Sequence, residues 1–395
     1  MEKHKPKLRF PEFDVNWESK TLGEIGEFIG GGTPSTANED FWNGNINWFT
    51  PTEIKKDYVD NSLRKISEQG LLKSSAKLLP LGTILLTTRA TIGDVAITKS
   101  VCSTNQGFQS LVTNELNNNY FILNWFKKSR HLLMEKANGS TFPEISKSAI
   151  EKISLFVPNY NEQTKIGNFL SAVDEKLNLL KEKKELLADY KKGIMQKIFI
   201  QEIRFKDDNG NDFEDWIETN LGGICEFENG KAHENEIDEN GDFVVVNSKF
   251  VSTNGRVRKY TNKIISRLDK NDIVMVMSDV PNGKAIAKCY YIEEDNKYSL
   301  NQRICKIRVV NNDSKYIYYL INRNPYYLAF DSGVGQTNLK KDEVLDCPLY
   351  IPKNVKEQTK IANFLSAIDE KIELVSNQIQ DTQDYKKGLL QQMFI

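Results

Sequence analysis

Apolar residues follow two rhythms along this chain. Ile166, Leu170, Val173, Leu177, Leu180 and Leu187 alternate by fours and threes, with Lys184 breaking the row once; Ile361, Leu365, Ile368, Ile372, Val375 and Ile379 repeat the pattern. That is the spacing of an a/d seam, and it predicts two long helices that pair with each other rather than packing separately on their own domains. Thr164 and Thr359 read as helix starts, Gly193 and Gly388 as ends or kinks. From Thr164 to Lys192 is about 29 residues, roughly 43 Å of helix at 1.5 Å per residue. The second rhythm is shorter. Runs at 83–87, 95–98, 243–246 and 272–277 sit between Gly, Asn and Asp turns and read as strands, while 120–136 and 314–322 read as helices. The expected fold class is α+β: two mixed α/β domains dominated by strands, with two long helices.

The helical blocks are copies of one another. At an offset of 195, residues 162–199 and 357–394 agree at 21 of 38 positions without a gap, starting from Glu162-Gln163-Thr164-Lys165-Ile166 and Glu357-Gln358-Thr359-Lys360-Ile361. Weaker echoes lie upstream: Arg9-Phe10 and Arg204-Phe205, Trp17 and Trp216, Asn105-Gln106 and Asn301-Gln302, Val157-Pro158 and Ile351-Pro352. The chain is therefore two half-molecules with a pseudo-twofold internal repeat. It divides into a divergent domain at 1–160, a helical block at 161–200, a second divergent domain at 201–355 and a second helical block at 356–395.

Composition narrows the chemistry. The 395 residues include 39% hydrophobic and 27% charged residues, as in a soluble globular protein of two to four domains. No run approaches the 18 or so apolar residues of a membrane-spanning helix, and the charges at Met1–Lys7 have no apolar region behind them, so they do not read as a secretory signal. The five cysteines, Cys102, Cys225, Cys289, Cys305 and Cys347, are dispersed and suit reduced thiols in a cytoplasmic setting. His4, His131 and His233 lack metal-ligand spacing, so no zinc centre or catalytic triad is expected. Phe28-Ile29-Gly30-Gly31-Gly32 and Asn324-Pro325-Tyr326-Tyr327 imitate a methyltransferase's cofactor loop and base-binding motif, but they lie in opposite halves and the second proline is missing; both read as turns before strands. Asn282-Gly283-Lys284 lacks the rest of a P-loop. No active site emerges.

The doubled E-Q-x-K-I…F-L-S-x-[VI]-D-x-K-[IL] block, each copy following a divergent domain that ends in a [VI]-P segment, resembles the specificity (S) subunit of type I restriction–modification enzymes. Asn105-Gln106-Gly107-Phe108, Leu22-Gly23-Glu24-Ile25 and Thr91-Ile92-Gly93-Asp94 fit the same family. The resemblance covers essentially the whole chain. It implies two target recognition domains, each reading one half of a split double-stranded DNA sequence, joined by helices in an antiparallel coiled coil. Two methyltransferase (modification) subunits would dock on the helices and restriction (motor-nuclease) subunits would complete the complex. The chain would be non-catalytic, with S-adenosylmethionine, ATP and Mg belonging to its partners. Two other readings stay open at this point: a coiled-coil adaptor whose heads bind protein, and a self-contained methyltransferase.

The net charge of −1 gives no overall basic footprint, but the charges separate locally. Residues 207–242 hold 13 acids and one base, Lys231; residues 249–267 hold six bases (Lys249, Arg256, Arg258, Lys259, Lys263, Arg267) and no acid. The basic stretch reads as a phosphate-tracking face, the acidic one as a surface turned away from DNA or toward a partner. Loop residues whose side chains suit base edges are Thr33, Ser35, Thr36, Asn47, Arg89, Thr91, Asn105 and Gln106 in the first domain. In the second they are Lys231, Asn254, Arg256, Ser278, Lys284, Asn301, Gln302, Arg303 and Gln336. The Asn-Gln pair, present in both halves, reads as structural or phosphate-contacting; Arg89 and Arg303 are the leading base readers.

Overall fold

The computed structural model describes residues 4–139, 143–280 and 283–395. Met1–Lys3, where the N-terminal reading begins, and Asn282 of the glycine run lie outside the described residues. The chain forms two compact units: residues 1–183 with 375–395, and residues 184–374. The long helices run Tyr160–Phe199 and Val355–Met393, and the units divide them, so each unit holds the first part of one helix and the last part of the other.

Both helices begin before the threonines that looked like their starts. The side-chain oxygen of Asn159 accepts from the Glu162 N–H (3.0 Å) and that of Asn354 from the Lys356 N–H (2.9 Å), so asparagines satisfy the first orphan donors and the threonines sit inside the first turns. Gly193 and Gly388 neither end nor break the helices. An interior glycine costs only about 1 kcal/mol, and the turns beyond them bury Ile198 in one helix and Leu389 and Met393 in the other.

In the first unit a five-stranded sheet runs in the order Gly26–Gly30, Gln109–Thr113, Ile84–Leu86, Val95–Thr98, Tyr58–Val59. A three-stranded sheet places Trp42–Phe49 between Arg64–Ile66 and Cys102–Thr104, and Glu18–Thr21 pairs with Ser154–Val157. The second unit repeats this plan. Cys225–Asn229, Ile304–Val309, Ile273–Val276 and Cys289–Tyr291 form one sheet; Lys259–Thr261, Phe243–Val246, Tyr298–Leu300 and Arg267–Leu268 form another. Each unit has the same parallel pair in an otherwise mainly antiparallel setting, Asn47–Phe49 beside Cys102–Thr104 and Val244–Val246 beside Tyr298–Leu300. Ile84–Leu86 and Ile273–Val276 are buried at every position, which explains their continuous apolar runs. The helix expected over 120–136 is two, Asn119–Lys128 and Arg130–Glu135, broken at Ser129.

The residues shared by the two helical blocks hold each domain to its helices. Arg9 forks onto Glu162 with two bonds of 2.7 Å while Trp17 Nε1 donates to the same carboxylate at 3.2 Å. In the other unit Arg204 (3.2 and 3.0 Å) and Trp216 (3.2 Å) bind Glu357 in the same way. Both glutamates are fully buried. Next along, Gln163 donates to the Pro158 carbonyl and accepts from the Asn118 N–H; Gln358 does so with Pro352 and Asp313. About three turns further on, Asp174 accepts from Tyr120 OH (2.6 Å) and from Lys386 (2.5 and 2.7 Å), and Asp369 from Tyr319 OH (2.7 Å) and Lys191 (2.6 and 2.7 Å). The lysines come from the opposite helix, so the helices run antiparallel in each unit.

The seam divides its work accordingly. Ile166, Leu170 and Val173 join a core with Phe121 and Trp125, with Leu389 and Met393 from the other helix, and with Phe394 just past that helix's end; Ile361, Leu365 and Ile368 join one with Tyr316, Ile317 and Ile198. Leu177 and Val375 are buried, while Leu180 and Ile372 are half-exposed. The seam thus packs against the globular domain as much as against the partner helix.

Candidate nucleic-acid interface

In the first unit, loops at the end of the Gly26–Gly30 strand converge with those around Asn105 and Arg89. The Gly32 N–H donates to the Thr104 carbonyl (2.8 Å), the Asn105 N–H to Phe49 (3.1 Å) and the Thr88 N–H to Gly107 (2.8 Å). Gly31 is needed there, because a Cβ would lie 2.1 Å from the Asn105 carbonyl oxygen. Thr33 and Gln106 touch through their side chains, Asn105 folds its side chain onto the Gly107 N–H (2.9 Å), and Arg89 pairs with Glu144 at 2.8 Å. Ser35 and Thr36 are exposed nearby in sequence to Thr33, and the Thr91 hydroxyl is buried without a partner.

Asn47 does not belong to this group. It lies in the Trp42–Phe49 strand, 8% exposed, and its amide is taken up by the Asp60 carbonyl, Ser62 and Ser100. A side chain already bonded on both its oxygen and its nitrogen has nothing left for a base edge. Asn47 is a wall residue, and its reading as a base contact is corrected.

The second unit builds the same convergence from different residues. The Lys231 N–H donates to the Leu300 carbonyl (3.2 Å), Gln302 N–H to Lys231 (3.0 Å) and Met277 N–H to Arg303 (3.0 Å). Gly230 is pressed against the Asn301 carbonyl, 2.0 Å from where a Cβ would stand, as Gly31 is against Asn105. The Asn301 side-chain oxygen is buried without a partner. Arg303 is exposed in the left-handed region (φ 67°), so the turn presents its side chain outward at a backbone cost. Ser278 is largely buried and receives the Gln336 amide at 2.6 Å, across the pairing of Ser278–Asp279 with Thr337–Asn338. His233 is buried behind Lys231, its ring nitrogens 2.7 Å from the Lys231 carbonyl and 2.6 Å from Ser299 Oγ.

The basic stretch is exposed at all six positions. Lys263 pairs with Glu236 (2.9 Å) and Arg267 with Asp269 (2.6 Å), whereas Lys249, Arg256, Arg258 and Lys259 meet no carboxylate among the described residues. Asn254 occupies a left-handed turn beside them. Several acids of the 207–242 run are used at home: Asp208 with Lys360 (2.7 Å), Glu214 with Lys353 (2.6 Å) and Glu228 with Lys306. Two cations near Lys284, Lys288 and Arg323, were not legible in the sequence, because each stands alone among uncharged neighbours.

The methyltransferase look-alikes are resolved by their backbones. Phe28–Gly30 ends a strand rather than preceding one, and Asn324-Pro325 opens a helical turn, Asn324 capping the Tyr326 N–H (3.0 Å). Among the described residues no group of three His, Cys, Asp or Glu side chains could hold a metal ion, and no helix is long and apolar enough to cross a membrane.

Comparison with known proteins agrees with this geometry. The model of the type I restriction modification DNA specificity domain matches residues 14–188 and again 213–382. The specificity subunit of the type I restriction enzyme MjaIX of Methanocaldococcus jannaschii is 33% identical over 248 residues, 58% of this chain; the chain spans 57% of that relative's length. The MjaVIII specificity subunit of the same organism is 23% identical over 402 residues, covering 97% of this chain and 92% of that one. The crystal structure of the type I restriction–modification S subunit from M. genitalium has the same fold, with a TM-score of 0.63 over 99% of both chains at 17% identity. Matched by one domain model in both of its halves, the chain belongs to the type I restriction–modification DNA specificity family.

Proposed function

We propose that this chain is the DNA sequence-recognition subunit of a type I restriction–modification complex. Its two domains read the two unlike halves of an asymmetric, bipartite double-stranded target, and its helices dock two modification subunits, so that it directs adenine methylation and restriction without catalytic residues of its own. S-adenosylmethionine, ATP and Mg belong to the partner subunits, restriction subunits complete the assembly, and the complex works in the cytoplasm. One observation carries the reading: each unit gathers its loop residues around the same parallel strand pair and the same Glu-Gln anchor, yet fills the loops differently, Thr33-Gln106-Arg89 in one and Lys231-Arg303-Gln336 in the other. Common frames with unlike loops are what two readers of different half-sites need. The base-reading residues proposed are those loop residues, with Lys249, Arg256, Arg258 and Lys259 on phosphates.

The test is methylome sequencing of cells that express the chain with its modification partner. The expected result is a single split methylated sequence. Replacing residues 1–160 by the equivalent domain of a related subunit should change one half of it and leave the other. A change in both halves, or methylation independent of this chain, overturns the reading.

A further inference from the structure

Lys284, Lys288, Arg323 and Arg256 come from three separate segments of the second unit and form an uncompensated group of cations. Lys288 Nζ is fixed on the Ser252 carbonyl (2.8 Å), at the end of the Ser248–Ser252 helix and four residues before Arg256. Arg323, in a left-handed backbone conformation (φ 56°), sets Nη1 on the carbonyls of Lys284 (2.7 Å) and Ile286 (3.4 Å), and its own N–H on Ala287 (2.9 Å). Burial, and then the like charges of Arg323 and Arg256, push the Lys288 ammonium below its ordinary value. None of the four has a carboxylate within ion-pair distance among the described residues. Asp331 feels Arg323, but its carboxylate is held first by the Gly333 N–H and Thr337; Asp279 is turned onto the Ala285 and Ile286 N–H groups.

Like charges gathered and half-buried without a counter-charge are unfavourable in the free protein. The backbone carbonyls that hold Lys288 and Arg323 pre-order them and leave Arg323 Nε and Nη2 available, a fork that fits a phosphodiester's two free oxygens. Lys284, whose carbonyl holds Arg323, and Arg256, four residues beyond the Ser252 carbonyl that holds Lys288, are both exposed. The segment bearing Lys284 and Lys288 continues from the Ser278–Asp279 strand, on which Gln336 lies, and Arg256 belongs to the exposed basic stretch.

We propose that Arg256, Lys284, Lys288 and Arg323 form a phosphate clamp for the DNA backbone, which sets the second domain on the duplex without reading bases. This rests on the DNA-recognition reading above. It adds two residues, Lys288 and Arg323, whose role is positional and whose loss leaves sequence preference intact.

The experiment uses the full chain assembled with its modification partner. Binding to a duplex carrying the methylated sequence, and to an unrelated duplex, is titrated against salt for the wild type, Lys288→Gln, Arg323→Gln, the double variant and Arg323→Lys. Each lost cation should reduce the salt slope by about one on both duplexes, with the preference between them unchanged. Arg323→Lys should retain most of the slope, and the variants' melting temperatures show whether they fold. An unchanged slope in folded variants overturns the clamp, as does a loss of preference, which would mean base reading. Unchanged DNA binding with failed assembly would assign the cluster to an acidic face of the partner subunit. If the wild type itself prefers no duplex, the recognition reading fails rather than this one.

Discussion

Glu162 and Glu357 each take a carboxylate into a site closed to water, where an arginine fork and an indole N–H supply three donors. The pair repays its desolvation only while both partners are present. Glu162→Ala leaves Arg9 half-buried and uncompensated, and should destabilise the first unit by about 3 kcal/mol, read as a lower midpoint in urea. Glu357→Ala should cost less, since Arg204 is more exposed than Arg9 and its bonds are longer. The cysteines give a second expectation at this scale. All five are free; burial pushes the Cys102 and Cys225 thiols up to about 11 and raises those of Cys289, Cys305 and Cys347. Such thiols stay protonated at pH 8, so alkylation of the native chain there should modify half-buried Cys225 first and leave the other four until the chain unfolds. Rapid labelling of Cys289 or Cys305 in the native state would contradict that packing. At this scale the sequence was only partly legible. Repeated Glu, Gln, Asp and Lys positions were visible as identities, but their task was not, because Arg9, Trp17 and Tyr120 meet them only in three dimensions. Asn47 was misread because a loop-type residue can serve inside a strand.

The long helices are locked by matched pairs: Asp174 with Lys386, and Asp369 with Lys191. If helix length sets the spacing between the two halves of the target, a heptad inserted near Leu186 is the natural test. Added to the first helix alone it moves Lys191 about 10.5 Å further from Asp174 along the axis, so the two locks cannot both form. A matching heptad near Leu374 restores them. The single insertion should therefore lower the melting temperature and impair methylation, and the double insertion should recover stability and methylate a sequence with a longer gap. An unchanged gap in a stable double-insertion protein would separate helix length from target spacing. Seam positions and helix identity were readable from the four-three rhythm. The starts were not, because Asn159 and Asn354 lie before the rhythm begins, and the glycines misled because burial of the following turns outweighs their weak propensity.

Each compact unit is completed by residues from the far half of the sequence. Phe394 stacks on Phe121 at 4.9 Å in the first, where Phe199 meets Tyr316 at 6.2 Å in the second. Residues 1–200 alone would lack Leu389, Met393 and Phe394 from their core, yet they carry the equivalents: Ile194, Ile198 and Phe199, with Lys191 in place of Lys386. This fragment should pair with a second copy of itself and sediment as a dimer at micromolar concentration. Asp174→Ala with Lys191→Ala should weaken that dimer at least about tenfold, or roughly 1.4 kcal/mol. A folded monomer would contradict the exchange of helix ends. The repeat and the seam made two half-molecules with paired helices legible; that the end of each helix completes the core of the other half's domain appears only in three dimensions, where Leu389, Met393 and Phe394 meet Phe121.

Phe394 also sets the timing of folding. At about 5–20 residues per second, a ribosome that has just finished Phe199 needs roughly 10–40 s more to reach it. Through that interval the first domain has emerged with Trp17 and Phe121 still uncovered, so a nascent chain would depend on chaperones, or on a neighbouring copy, to shield a core whose last piece has not yet been made.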